Sequence, residues 1–355
     1  MEQTAQIVEK KEHKPRKTKR AVYVTFELAY DNIATFRELL KVLDDAFTDE
    51  VPLQIHQDGL AITVMDTSRV QMANYFISKT AFEEWLVSNN TRYNMATLPV
   101  DVTVPLKEVL YAIEKAGKDA KVRFEIKVVY STVGVNTVAK ARKPEKCPKC
   151  GKETLHNQLP SEKRGKKGNR YKCECGWRGK VRTWTKKTKV YETEIEDKES
   201  QFTVTVKEKT VETWDVKLLE QRSEEKVPLP LIRFNAMYKL VASDFRDIIE
   251  RIKKRTDAVR FVGSANDLTL KGYSDYISGN VKITKGSDIM LDVECRGEEK
   301  ALYSIANLLS ILPKKTVSEI MTLEFSTDMP TRITAYTNLG NSKIEYYLAP
   351  RIETE

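Results

Sequence analysis

The feature that most limits what this chain can fold into is an internal duplication. On either side of the polar stretch Asp215–Pro230 (DVKLLEQRSEEKVPLP), two segments run through the same order of elements: an amphipathic helix, a hairpin, a second amphipathic helix and closing strands. The stretch itself is too uneven for a helix face and too bound by proline for a central strand. At 355 residues the chain can bury two ordinary cores. The reading is an α+β chain of two similar domains joined by an exposed connector.

In the first half, a strand at Ala21–Leu28 precedes a helix over about Asp31–Phe47. Its apolar stripe is Ile33, Phe36, Leu39, Leu40, Leu43 and Phe47, recurring at helical spacing. The other face shows Arg37 and Lys41, with Asp44 and Asp45 beside them. Asp58-Gly59 marks a tight turn between two alternating strands. A second helix at Leu106–Gly117 buries Leu106, Val109, Leu110 and Ile113, and exposes Lys107, Lys115 and Lys118. The second half repeats this pattern. A helix at Val241–Arg255 exposes Arg246, Lys253 and Lys254, a hairpin follows at Ala258–Ile283, and a helix is expected at Glu298–Leu312. Strands at Ile320–Phe325, Thr331–Thr337 and Ser342–Leu348 close the chain.

The first half is longer because of an insertion at about Val129–Ser200. It separates Lys121–Lys127 from Phe202–Lys209, two strands that would otherwise form a hairpin. Four of the five cysteines lie inside it, in CPKCG (Cys147, Cys150) and YKCECGW (Cys173, Cys175). Paired thiolates two or three residues apart, each pair followed by glycine, suit a tetrahedral structural Zn²⁺ with no open position. The second pair is C-x-C, one residue short of the usual spacing, so His156 is an alternative ligand. Cys295 reads as an inert core thiol. So few, clustered cysteines point to a reducing compartment.

The formal charge of +9 is unevenly spread. Residues 139–190 hold 18 Lys/Arg against 4 Glu, and residues 1–20 hold 7 Lys/Arg against 3 Glu, leaving −9 for the rest. Two basic attachments on an acidic body suggest a polyanionic partner, with nucleic acid the first candidate. The insert interleaves Lys/Arg with Tyr171, Trp177 and Trp184, a composition suited to phosphate contact with stacking. The tail 1–20 has no hydrophobic period and reads as disordered. Catalytic patterns are missing: there are 3 His and no G-x-S-x-G, P-loop or H-E-x-x-H. Asp44/Asp45 and Asp49/Glu50 read as solvated helix ends rather than a Mg²⁺ site. No signal peptide opens the chain and no apolar run is long enough to span a bilayer. A 31% charged content leans towards a thermophile.

DGLAITVMDTSRV (Asp58–Val70) and YYLAPRIE (Tyr346–Glu353), with TDMP (Thr327–Pro330) and LPLIRFNA (Leu229–Ala236), resemble the sliding clamps of the proliferating cell nuclear antigen (PCNA) type, over about 21–128 and 201–355. The resemblance implies a ring, usually of three subunits, identical or related, with helices around a central hole and curved sheets outside. Its function would be to encircle duplex DNA as a non-enzymatic processivity factor. Its partners would be a clamp loader and polymerases or other enzymes carrying PIP-box-type peptides. It would lie in the archaeal cytoplasm or nucleoid, or in a nucleus.

Under that resemblance the domains are a tail at 1–20, a first clamp domain at 21–217 interrupted by a zinc ribbon at 129–200, a connector at 218–230 and a second domain at 231–355. DNA-facing residues would be Arg37, Lys41, Lys107, Lys115, Arg246, Lys253 and Lys254. Asp44 stands where many clamps place a lysine. The partner-peptide pocket would comprise Met65, Arg69, Val70, Val227, Pro228, Pro330, Tyr347, Ala349, Pro350 and Ile352. Subunits would join through Phe202–Lys209 and Gly279–Lys285. The competing reading is a clamp-like factor that forms no ring, serves transcription or DNA binding, and uses the insert as its DNA contact.

Overall fold

The computed structural model describes residues 19–28, 32–89, 100–117, 119–144, 146–152, 155–157, 170–181, 183–196, 199–219, 228–273, 278–340 and 342–352, with 131–144 and 183–195 described by backbone alone. The tail 1–18, the loop 158–169, connector residues 220–227 (Val227 among them) and the side chains of His156 and Trp184 lie outside the described parts. Two compact units are present: Arg20–Val129 with Ile195–Glu355, called the body here, and Tyr130–Glu194.

The first half of the body contains β1 (Lys19–Leu28), α1 (Ile33–Ala46), β2 (Glu50–Ile55), β3 (Gly59–Met65), β4 (Gln71–Ser78), β5 (Phe82–Asn89), β6 (Val100–Pro105) and α2 (Leu106–Ile113). It continues with the start of β7 (Lys121–Pro144), β12 (Gln201–Lys207) and β13 (Val211–Val216). The second half contains β14 (Ala236–Val241), α3 (Ala242–Lys253), β15 (Ala258–Gly263), β16 (Asp267–Tyr273), β17 (Ser278–Thr284) and β18 (Met290–Cys295). It ends with β19 (Glu299–Ser304), α4 (Ile305–Ile311), β20 (Ile320–Phe325), β21 (Thr331–Tyr336) and β22 (Lys343–Leu348). Each half therefore has nine strands and two helices in one order.

The sheets repeat too. The first half forms β13-β12-β7-β1-β5 and the second forms β22-β21-β20-β14-β18, strand for strand. The remaining strands form β4-β3-β2-β6 in one half and β17-β16-β15-β19 in the other. Antiparallel pairing of β22 with β4, from Lys343 opposite Phe76 to Leu348 opposite Gln71, splices two of these four sheets into one of nine strands.

Periodicity explains the elements. The whole expected stripe of α1, with Phe47 just beyond it, is buried, each such side chain contributing about 1.5–3 kcal/mol. Gly59 (φ +152°) makes the turn into β3, and a Cβ there would lie 2.1 Å from the Ile77 carbonyl oxygen. Strands β7 and β12 pair from Lys121 opposite Lys207 to Lys127 opposite Gln201, the hairpin expected across the insertion. The helices pack in the succession α2, α1, α4, α3. Phe26, Phe36, Phe82 and Phe124 meet in the first core, and Phe245, Phe261, Tyr303 and Phe325 in the second.

The structure corrects three expectations. Glu299–Ser304 is a strand paired with β15, so the last helix starts at Ile305. Ala301 and Tyr303 are buried at strand spacing, which the helix expected over Glu298–Leu312 does not accommodate. Asp215 and Val216 end a strand rather than open the connector, and that strand covers β12, which is therefore not a sheet edge. Cys295 is half-buried at the end of β18, with its thiol facing the Gly297 carbonyl, rather than in the core.

Candidate functional site

Basic side chains on the helices were expected to face DNA, and the structure divides them. Arg37, the fifth residue of α1, donates from one terminal nitrogen to the Ile113 and Ala116 carbonyls at 2.8 and 2.7 Å. Arg246, the fifth residue of α3, donates likewise to the Leu309 and Leu312 carbonyls at 3.0 and 2.9 Å, and its Nε pairs with Glu250. Each arginine caps carbonyls where the neighbouring helix ends, and the Ile113 carbonyl also accepts from Ala116 N at 3.2 Å. These two residues position helices rather than offer free charge. Lys41, Lys115, Lys253 and Lys254 are exposed, as are Arg251 and Arg255, which sequence reading missed. Lys107 is exposed and ion-paired with Asp49 at 3.5 Å. The Asp49 carbonyl accepts from Leu106 N as the Asp257 carbonyl accepts from Ile305 N, so this acidic pair belongs to a helix joint.

The outer surface of the nine-stranded sheet gathers several of the expected pocket residues. Met65, Met72, Tyr347, Arg332 and Glu324 stand opposite one another across β3, β4, β22, β21 and β20. Arg332 forks onto Glu324 at 2.6 and 2.7 Å and lies over the Phe234 ring. The loop after Met65 is closed by the Asp66 carboxylate, which accepts from Val70 N, Gln71 N and the Ser68 hydroxyl, with Arg69 at φ +57°. That is the physical content of the D-x-S-x-V motif. Ala349 N donates to the Val70 carbonyl and Arg351 N to that of Leu302, fixing the C-terminal segment beside this loop. Met65, Val70, Pro330, Ala349 and Pro350 are half-buried and Arg69 and Pro228 exposed. Tyr347 is buried, while Ile352 is 91% and Leu231 102% exposed.

The Tyr130–Glu194 unit brings the four cysteines together. Their sulfurs all lie within 4.8 Å of one another, with Cys147–Cys175 at 3.7 Å and Cys150–Cys173 at 3.5 Å. A disulfide would need about 2.05 Å, whereas two thiolates on one tetrahedral ion at 2.3 Å stand about 3.8 Å apart. The cluster fits a metal ion held by four protein ligands. Gly151 (φ +69°) and Gly176 (φ +88°) take the left-handed turns that fold each pair round. β8 (Leu155–Asn157), β9 (Arg170–Cys173) and β10 (Arg178–Lys180) form a three-stranded sheet, and Leu155, Tyr171 and Trp177 pack with Cys147 and Cys173. β11 (Thr183–Ile195) pairs with β7.

The family described as repair protein Rad1/Rec1/Rad17 matches residues 25–325. The chain belongs to the Rad1/Rec1/Rad17 family. Within it, this Rad1-family chain is similar to archaeal clamps. It is 24% identical over 129 residues to DNA polymerase sliding clamp 3 of Aeropyrum pernix, covering 36% of this chain and 51% of the relative. It is 28% identical over 130 residues to sliding clamp 1 of Pyrobaculum aerophilum, covering 36% and 52%. The chain spans about half the length of the curated relatives it matches. In fold it is similar to PCNA of Thermococcus kodakaraensis (TM-score 0.62, 14% identity, 92% of this chain and 100% of that one). A PCNA2–PCNA3 complex from Sulfolobus tokodaii gives TM-score 0.61 and 18% identity over 93% and 100%. The Rad1-family chain thus has the PCNA-type sliding-clamp fold, and among its described residues no helix is long and apolar enough to cross a membrane.

Proposed function

We propose that this chain is a subunit of a DNA sliding clamp, a non-catalytic ring that holds replication or repair enzymes on duplex DNA. One observation carries the reading. Inside the chain, β22 of the second half splices onto β4 of the first. Among the described residues, the equivalent edges, β13 and β17, each have one neighbour. A second copy, or a related subunit, can repeat the splice by placing its β17 against β13. Open edges with unpaired amides and carbonyls are templates for such addition. Repetition of one rotation closes a ring. The joint is β13 with β17, in place of the Phe202–Lys209 edge expected from sequence.

In this reading Lys41, Lys107, Lys115, Arg251, Lys253, Arg255 and Lys254 meet phosphates through screened contacts that need no base readout. Arg37 and Arg246 are withdrawn from that set. Enzyme peptides dock on the outer surface around Met65, Val70, Pro330, Ala349, Pro350 and Ile352, where exposed apolar side chains offer anchors. A loader opens the ring. The cysteine cluster holds Zn²⁺, the metal that four thiolates in a tetrahedron favour. Native mass of the purified protein tests the ring. A trimeric mass, alone or with a related subunit, is expected; a stable monomer at micromolar concentration favours the clamp-like factor that forms no ring.

A further inference from the structure

The three-stranded sheet of the cysteine unit has two unlike faces. Along β9, Tyr171 and Cys173 are buried while Arg170 and Lys172 are exposed. In β10, Arg178 stands opposite Lys172 and Lys180 opposite Arg170, and residues directly opposite in a ladder share a face. Arg178 and Lys180 are exposed as well. Gly179, opposite Tyr171, lies against the Trp177 ring. One face is therefore the core beside the cysteines, and the other is four cations set as two opposed pairs. The backbone register adds His156 opposite Lys172. None of the four cations makes an ion pair with a described residue.

Like charges directly opposite one another destabilise a sheet, so folding alone gives no reason for this arrangement. A polyanion supplies the missing counter-charge. Strands stand about 4.8 Å apart and alternate residues about 6.6 Å apart, which keeps all four charges within reach of neighbouring phosphates on one backbone. The indole of Trp177 and the phenol of Tyr171 lie on the inner face, so the stacking expected from composition does not operate here. Among its described side chains this face offers no apolar anchor of the kind a protein partner uses. We propose that the face formed by Arg170, Lys172, Arg178 and Lys180 is a sequence-independent contact for a nucleic-acid phosphate backbone, additional to the helix faces of the body.

The test uses the full-length chain and a short labelled linear duplex, with affinity followed against salt. Each phosphate neutralised contributes about 0.9 to the salt slope. The combined variant Arg170→Gln, Lys172→Gln, Arg178→Gln, Lys180→Gln should bind more weakly and flatten the slope by about 3 to 4, with its metal content unchanged. Lys172→Gln alone, at an exposed position, should flatten it by about 0.9. Lys253→Gln with Lys254→Gln reads the helix faces separately, so failure of the ring reading and failure of this one are distinguishable. An unchanged slope and affinity in the combined variant at full metal content, or in Lys172→Gln if the combined variant loses metal, overturns the proposal. Binding of polyglutamate as tight as that of the duplex would assign the face to acidic protein and overturn it equally.

Discussion

The hydroxyls of Tyr75 and Tyr346 meet at 2.6 Å inside the core, at the seam where β4 of the first half pairs with β22 of the second. Both side chains are buried, and burial holds both phenols well above their ordinary range, so the pair stays neutral. Tyr346→Phe leaves the Tyr75 hydroxyl with only a 3.4 Å approach to the Leu39 carbonyl. A loss of about 1–2 kcal/mol is expected, measured by denaturant unfolding, with assembly unchanged.

Arg37 and Arg246 separate a structural from a DNA-binding role. Arg37→Ala removes a charged donor from the Ile113 and Ala116 carbonyls, leaving Ile113 only its bond from Ala116 N, and hydrogen bonds to a charged group contribute about 1.5–3 kcal/mol. A loss of that order in unfolding free energy is expected, with the salt slope for DNA unaltered. A flattened slope at unchanged stability would return Arg37 to the DNA-facing set.

Proline reads the edges directly. Val281→Pro lies in β17, which among the described residues pairs only with β16, and should abolish assembly while leaving the chain folded. Val204→Pro lies in β12, paired on both sides, and should destabilise the fold by on the order of 3 kcal/mol. On β13, Trp214 is 37% exposed and leans on Tyr111 at 5.3 Å; Trp214→Asp should weaken assembly in native-mass measurements with little change in the unfolding midpoint.

The metal prediction is one Zn²⁺ per chain. Cys147→Ser with Cys150→Ser should remove it by elemental analysis, while the unfolding transition of the body persists, because none of its core residues lies between Tyr130 and Glu194.

Glu299 sets a pH dependence. Burial alone would raise its carboxyl, but bonds from the Thr327 hydroxyl and amide and from Asn235 outweigh that and hold it below its ordinary value of 4.5. A lowered folded value means stability that is complete above 4.5 and lost as the pH falls on through the folded value. Glu299→Gln should flatten that part of the stability profile in acid unfolding curves.

What could be read in the sequence were features that local chemistry specifies. The α1 stripe, the Asp58-Gly59 turn, the two cysteine knuckles and the β7–β12 hairpin all follow from spacing and turn residues. What escaped depends on distant partners. Leu302 and Leu309 mimic a helix because β19 runs straight into α4. Val211–Val216 shows no alternation because almost all of it is exposed. The use of Arg37 could be found only by aligning it with Arg246, since both stand fifth in their helices with a second helix ending beside them. The opposed cations of β9 and β10 needed the register of a sheet that composition cannot supply.

The insertion also bears on how fast the body can assemble. The β7–β12 hairpin, whose inner pair is Lys127 with Gln201, must close across the 73 residues 128–200, and stretching a flexible loop from a few residues to that length costs about 2.5 kcal/mol of closure entropy. The chain shortens the gap. β11 pairs back on β7, Glu196 N donates to the Val129 carbonyl at 2.7 Å, and the Ser200 hydroxyl bridges Glu196 and Val129. This pairing lays the ends that the hairpin must join side by side. If the cysteine cluster is loaded with metal before the hairpin closes, refolding should be faster, and a chain refolded with a chelator should regain the body more slowly.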